Sequence, residues 1–226
     1  MRVPIWLSLL GSLVLVVLLP LFFGSLMTTS LAKLHVSQSV ATQLIIGIIV
    51  GGFINVPITR IARSEQVPAH PLALLGLDRA FPRLRREREE TVIAINVGGA
   101  AIPVGLAIYE FAYLSALGRE LLVSVGLASL VNIVVCYLLA RPVPGLGIAM
   151  PGLVPPLVAV AMALVLAPAQ AAPVAFIAGV LGPLVGADLL HIKDVTKIAK
   201  TGIASIGGAG TFDGIVLSGI VAAYLA

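Results

Sequence analysis

Two aspartates sit inside stretches that are otherwise apolar. Asp188 lies in Val185-Gly186-Ala187-Asp188-Leu189-Leu190, and Asp213 lies in Gly210-Thr211-Phe212-Asp213-Gly214. An ionised side chain at the centre of a bilayer costs at least ~2.5–3.5 kcal/mol on insertion scales, so such residues mark function more often than surface residues do. Two carboxylates at that depth offer two kinds of chemistry. They can bind a proton or a cation, or they can share one proton and activate water for hydrolysis. Neutral oxygens that could complete an ion site occur nearby, with Asn55 and Asn96 at the ends of apolar runs and Ser205 and Thr211 bracketing a glycine-rich stretch. His191 follows Leu189-Leu190 and could shuttle a proton, although a histidine there is more often an interfacial polar residue. Arg141 is positioned to pair with Asp188 if the spans that carry them pack side by side. The competing reading is an arginine that snorkels to the interface.

The stretch from Gly202 to Gly210 has a mechanical meaning. Each glycine lowers helix stability by up to ~1 kcal/mol relative to alanine, and Gly207, Gly208 and Gly210 also permit close backbone approach. The expectation is a broken helix near Gly207–Asp213, with a new helix starting near Thr211 and capped by Thr211 or Asp213. An unbroken helix packed through its glycine face is the alternative. Pro142 and Pro144 suit a turn, whereas Pro155 and Pro156 should kink the span that contains them.

The elements that must hold these residues are membrane spans. Of the 226 residues, 59% are hydrophobic and 11% charged, against about 25% charged in average usage. Mean hydropathy is +1.12. The apolar runs are too long for a soluble core, so the solvent they face must be lipid. Seven spans are predicted, at Pro4–Gly24, Val40–Ile58, Thr91–Tyr109, Leu121–Ala140, Gly145–Leu166, Pro173–Leu190 and Ile203–Ala226. The first is read as a retained span because its apolar run exceeds the usual core of a signal sequence. With Met1 in the cytoplasm, twelve of the fourteen Lys and Arg residues fall inside, and only Lys33 and Arg119 fall outside. That asymmetry fixes the expected topology, N-terminus cytoplasmic and C-terminus outside. Trp6 and Tyr224 lie near span ends, as interfacial anchors do.

The net charge of +4 does not indicate a nucleic-acid binder, because the basic residues lie between apolar runs without aromatic platforms. The lone Cys136 reads as a small hydrophobe within a span. The longest loop, 59–90, is basic and ends in Arg83-Leu84-Arg85-Arg86-Glu87-Arg88-Glu89-Glu90, a composition suited to a helix leading into the third span. Part of this loop could lie along anionic headgroups, and a plain solvated linker is the alternative.

An internal echo links Asn96-Val97-Gly98-Gly99-Ala100 to Ser205-Ile206-Gly207-Gly208-Ala209. Both begin an outward-going span after a basic loop. One reading is a parallel repeat of three spans, one linking span and three spans, as some transporters are built. The other is the chance likeness of glycine-rich membrane segments.

Phe53-Ile54-Asn55-Val56-Pro57-Ile58, Ile95–Pro103, Arg141-Pro142-Val143-Pro144-Gly145, Gly186–Leu190 and Ser205–Ile215 together resemble the prokaryotic membrane family known as domain of unknown function 1614. The resemblance covers nearly the whole chain. It implies a multi-pass protein of a prokaryotic inner or cell membrane, with no assigned activity. Two glycine-flanked intramembrane aspartates also resemble those of intramembrane aspartyl proteases. This chain departs from that family's pattern. Asp188 follows Gly186-Ala187, Asp213 follows Gly210-Thr211-Phe212, and no Pro-Ala-Leu occurs.

The sequence thus predicts an all-α, single-domain transmembrane bundle. Its expected function is transport or channel-like passage of a small solute, cation or proton. Asp188, Asp213, Asn55, Asn96, Thr211 and Ser205 would form the site, supported by Arg141, His191, Gly207, Gly208, Gly210 and Gly214. The alternatives are an aspartyl hydrolase that uses Asp188 and Asp213, and a non-catalytic membrane scaffold in which the aspartates cap helices. The expected partners are the lipid bilayer, a small solute or ion, and further copies of the chain as a homo-oligomer. No nucleic acid, metal or cofactor is expected.

Overall fold

The structure, a computed structural model, describes residues 21–67, 85–143, 147–194 and 202–226. Helix α1 is Leu21–Leu31. Helix α2, Gln38–Gly51, is capped by Ser37, whose hydroxyl accepts from the Val40 amide at 3.4 Å. Strand β1, Asn55–Val67, follows and pairs antiparallel with β2, Arg85–Asn96. Helix α3 opens as a wide π turn, Val97–Ala101, and continues as an α-helix over Ile102–Leu117. Helix α4 is Arg119–Leu139. The short strands β3, Arg141–Val143, and β4, Gly147–Ala149, form a second hairpin. Helix α5 is Val154–Leu166. Helix α6, Ala171–Leu181, passes into a π turn at Gly182–Leu189. Strand β5, Gly202–Ile206, then pairs parallel with β2, giving the order β1-β2-β5. The last helix, α7, is Gly214–Leu225.

The centre of the helical part is α6. Val174, Ala175, Ala178 and Val180 are fully buried. Small residues set the helix spacing. A side chain at Gly179 would meet the Ser218 carbonyl of α7 at 2.7 Å, so α6 and α7 touch backbone to backbone. On the other side, the Asn132 amide of α4 donates to the Ala178 carbonyl at 2.8 Å, which satisfies a fully buried polar group. The outer faces are apolar as well. Ile108, Val123, Leu130, Leu138 and Val165 are all more than half exposed. So much outward apolar surface suits lipid rather than water. Three helical runs, Val97–Leu117, Arg119–Leu139 and Pro168–Asp194, are long and apolar enough to cross a membrane.

The molecule is mostly helical, but the all-α expectation is corrected by the sheet. Thr59, Ile61, Thr91, Val92, Ile93 and Ile95 are β-branched, and they pair across β1 and β2 instead of extending the spans. The helix in the second predicted span therefore stops at Gly51 rather than Ile58, and that in the third starts at Val97 rather than Thr91 and runs on to Leu117. Arg85–Glu90, expected to be helical, continues β2, with Glu89 registered opposite Arg63. Pro57 is tolerated because β1 is an edge strand, and the register shifts beside it. The fifth span begins as a helix only at Val154. Most of the first predicted span, with Trp6, lies outside the described residues.

Candidate functional site

Three chain segments meet where the sheet joins the helices. They are the end of α2 (Gly51, Gly52), the start of α3 (Gly98, Gly99) and the turn after β5 (Gly207 to Gly210). The approach is backbone to backbone. A side chain at Gly51 would stand 2.8 Å from the Gly98 nitrogen, and one at Gly210 would stand 3.0 Å from the Gly52 Cα. A side chain at Gly99 would run into the Gly207 carbonyl. Gly207 also adopts φ +71°, a conformation that side-chain-bearing residues rarely take.

Polar side chains clamp this junction. Asn96 ends β2 and is fully buried. Its Oδ1 accepts the Gly99 amide at 2.7 Å and so caps the wide first turn of α3. Its Nδ2 donates to the Gly52 carbonyl at 2.8 Å and to Asn55 Oδ1 at 3.1 Å. The Ser205 hydroxyl donates to the same Asn55 oxygen at 2.6 Å. Asn55, Asn96 and Ser205 therefore form one hydrogen-bonded cluster that spans β1, β2 and β5.

The aspartates sit on the neighbouring turn. Asp213 caps α7, its Oδ1 accepting the Ile215 amide at 3.0 Å while Oδ2 accepts the Ala209 amide at 3.3 Å. Asp188, in the π turn after α6, accepts the amide of Gly207, and the charge that acts on it is that of Asp213. Both side chains are half-buried. The broken helix expected near Gly207–Asp213 is corrected to a strand, a turn and a helix, because Gly202–Ile206 pairs with β2 instead of starting the seventh predicted span. Strand β5 ends at Ile206, a 3-10 turn spans Gly210–Phe212, and α7 begins at Gly214 with Asp213, not Thr211, as its cap. Thr211 is half-buried within that 3-10 turn. Gly208 closes the preceding turn, its amide bonded to the Ser205 carbonyl at 3.1 Å.

Two supporting residues take other places. Arg141 is exposed on β3, and no ion pair joins it to Asp188 among the described residues. His191 Nδ1 lies 3.1 Å from the carbonyls of Gly186 and Ala187, and its ring packs 4.9 Å from that of Tyr137. The ring thus closes the end of the α6 segment against α4, as an interfacial histidine does.

The echo between Asn96–Ala100 and Ser205–Ala209 extends to their setting, since each follows a strand and the two strands lie side by side in parallel. The ladder sets Ala94, not Asn96, opposite Ser205. The first copy enters its helix directly, and the second does so through a turn.

One buried ionisable residue escaped the sequence reading. Glu110 is completely buried on α3 and faces His35 in the turn between α1 and α2. It sits one position beyond the span edge drawn at Tyr109. The apolar run Phe111-Ala112-Tyr113-Leu114 was the signal that the helix carries on past it.

The described residues thus define a helix-rich protein with membrane-length apolar helices and a glycine-lined carboxylate pair beneath a small sheet. The chain belongs to the family described as Protein of unknown function (DUF1614), whose profile matches residues 49–225. That match takes in every residue of the glycine junction, the asparagine cluster and the aspartate pair. No curated protein and no solved structure matches the chain.

Proposed function

We propose that this chain is a multi-pass integral membrane protein that binds and passes a proton or a small cation at Asp188 and Asp213. The observation that carries the reading is the placement of these two carboxylates, with the charge of Asp213 acting on Asp188 between the π turn after α6 and the turn that starts α7. Two half-buried anions side by side repel, and a bound proton or cation relieves that repulsion. The amides of Gly207, Ala209 and Ile215 hold the carboxylates in place, and the Asn55–Asn96–Ser205 cluster fixes the segments from which they hang. Broken helices at membrane depth are a recurrent setting for ion sites in transporters. In the proposed topology α1, α2, α5 and α7 join the three longer helical runs to make seven passes. The sheet and the aspartates then lie at the cytoplasmic end of an inner-membrane protein, and the charge asymmetry of the loops supports this orientation.

A second reading has its own support, because both oxygens of Asp213 already accept backbone amides. On that reading the aspartates cap and brace, and the protein is a scaffold. Asparagine at 213 separates the two, since it keeps a good helix cap and removes the charge. Purified protein in liposomes would be assayed for proton and monovalent or divalent cation flux under an imposed pH gradient. Wild type should conduct, and Asp188→Asn and Asp213→Asn should each lower the flux about tenfold or more. Absence of wild-type flux for every ion tried, or full flux in both variants, would overturn the transport reading. If instead wild type cleaved a transmembrane peptide and neither asparagine variant did, the carboxylates would be a hydrolytic dyad.

A further inference from the structure

We propose that His35 and Glu110 form a one-proton binding site that clasps the turn between α1 and α2 onto α3, at the end of the molecule away from the aspartates. The distance follows from the helices. Helix α2 has 14 residues and runs from this turn to Gly51, ~21 Å at 1.5 Å per residue. Glu110 stands 13 residues beyond Val97, the first residue of α3, ~20 Å from the glycine junction. Lys33, in the same turn, donates to the Tyr224 carbonyl at 2.6 Å, next to the last residue of α7, whose other end is Gly214. Three helices therefore connect the two ends.

The local geometry is that of a built site. Glu110 is fully buried, and both of its oxygens are used. Oε1 accepts the backbone amide of His35 at 2.9 Å, and Oε2 lies 2.8 Å from His35 Nδ1. The imidazole stacks on the Tyr113 ring at 3.8 Å between centroids, and the Tyr109 hydroxyl donates to the His35 carbonyl at 2.7 Å. The ionisable groups around the imidazole are thus Glu110, Tyr109 and Tyr113 of α3, with Lys33 in its own turn turned towards Tyr224. The His35 side chain is 22% exposed, whereas that of Glu110 is fully buried.

The chemistry follows from these contacts. With a neutral imidazole, Nδ1–H and the amide donate to a buried carboxylate that has no full counter-charge. A proton taken up at Nε2, the nitrogen not engaged by Glu110, turns the same contact into an ion pair of zero net charge, with no rearrangement of either hydrogen bond. Proton uptake should therefore tighten the clasp. Histidine is the side chain whose ordinary titration falls between about pH 5 and pH 8, which sets the range to be scanned.

The test is hydrogen exchange of the 32–37 turn, and of the His35 amide in particular, in the full chain held in nanodiscs. Protection would be measured from about pH 5 to pH 8 and corrected for intrinsic exchange rates. Wild type should gain about tenfold protection on the acidic side. Both Glu110→Gln and His35→Gln should show protection that does not vary with pH. His35→Gln retains a side-chain donor towards Glu110, so it serves if Glu110→Gln does not fold. Wild-type protection that is flat across the range would overturn the proposal. So would a pH dependence that survives in either variant. Neither readout requires ion flux, so this inference stands or falls apart from the reading of the aspartates.

Discussion

The two ends of this molecule hold their polar groups in different ways. At the sheet end, carboxylates and asparagines are satisfied mainly by backbone amides and carbonyls of a glycine junction, and the charge that acts on Asp188 is the like charge of Asp213. At the other end, Glu110 is completely buried but matched by a histidine, and a lysine in the same turn is engaged by a carbonyl and the face of Tyr224. A buried charge with a partner is a fastening that one substitution can undo. Like charges held together by main-chain dipoles are poised to take up a positive ion. The difference teaches where to look for exchange with solvent ions and where to look for a latch.

The largest effect should come from the sheet end, where backbone meets backbone. Gly99→Ala places a methyl group against the Gly207 carbonyl, which no side-chain rotation can relieve. It should destabilise the protein by about 3 kcal/mol or more, seen as loss of a monodisperse peak and a lower melting temperature in detergent. Gly105→Ala, on the same helix but facing open space, should be neutral or slightly stabilising, and a similar loss there would break the contrast. Next comes the other end. Glu110→Ala strands the His35 amide and imidazole and should cost about 2–3 kcal/mol, read from the same melting curves. A loss under about 0.5 kcal/mol would show that the pair fastens nothing. The smallest effect should be at Asp213. Alanine removes the cap of α7 and should cost about 1 kcal/mol, whereas asparagine should stay within about 0.5 kcal/mol of wild type. An asparagine variant as unstable as the alanine variant would mean that charge, not capping, holds the turn.

The turn before α7 was legible because its signals are local, although the residues ahead of it form a strand rather than the first part of a helix. Glycines at 207, 208 and 210 disfavour a helix, and an aspartate at 213 caps one, whatever surrounds them. The like placement of Asn55 and Asn96 at the ends of neighbouring apolar runs was legible, but the hydrogen bond of Ser205 to Asn55 depends on the pairing of β5 and was not. The sheet was not legible for a specific reason. Thr91-Val92-Ile93-Ala94-Ile95 is apolar and β-branched, and a short run of that kind reads equally as the start of a membrane helix or as a buried strand. Its partner in β5 lies more than a hundred residues away, beyond any local pattern. Glu110 was missed because the span was drawn only to Tyr109, whereas the helix runs on to Leu117. His35 was missed because nothing in its own turn announces a carboxylate 75 positions further on.

The parallel pairing of β2 with β5 has a consequence for how the protein is made. Synthesis delivers β1 and β2 early, and they can close a hairpin at once, but the free edge of β2 must wait until residue 206 has emerged. During that interval the nascent sheet displays open hydrogen-bonding positions, the kind of edge that recruits unintended strands. Completion of the sheet is thereby a late event in synthesis, and a chain that stopped before β5 would lack α7 as well and leave one edge of β2 unpaired.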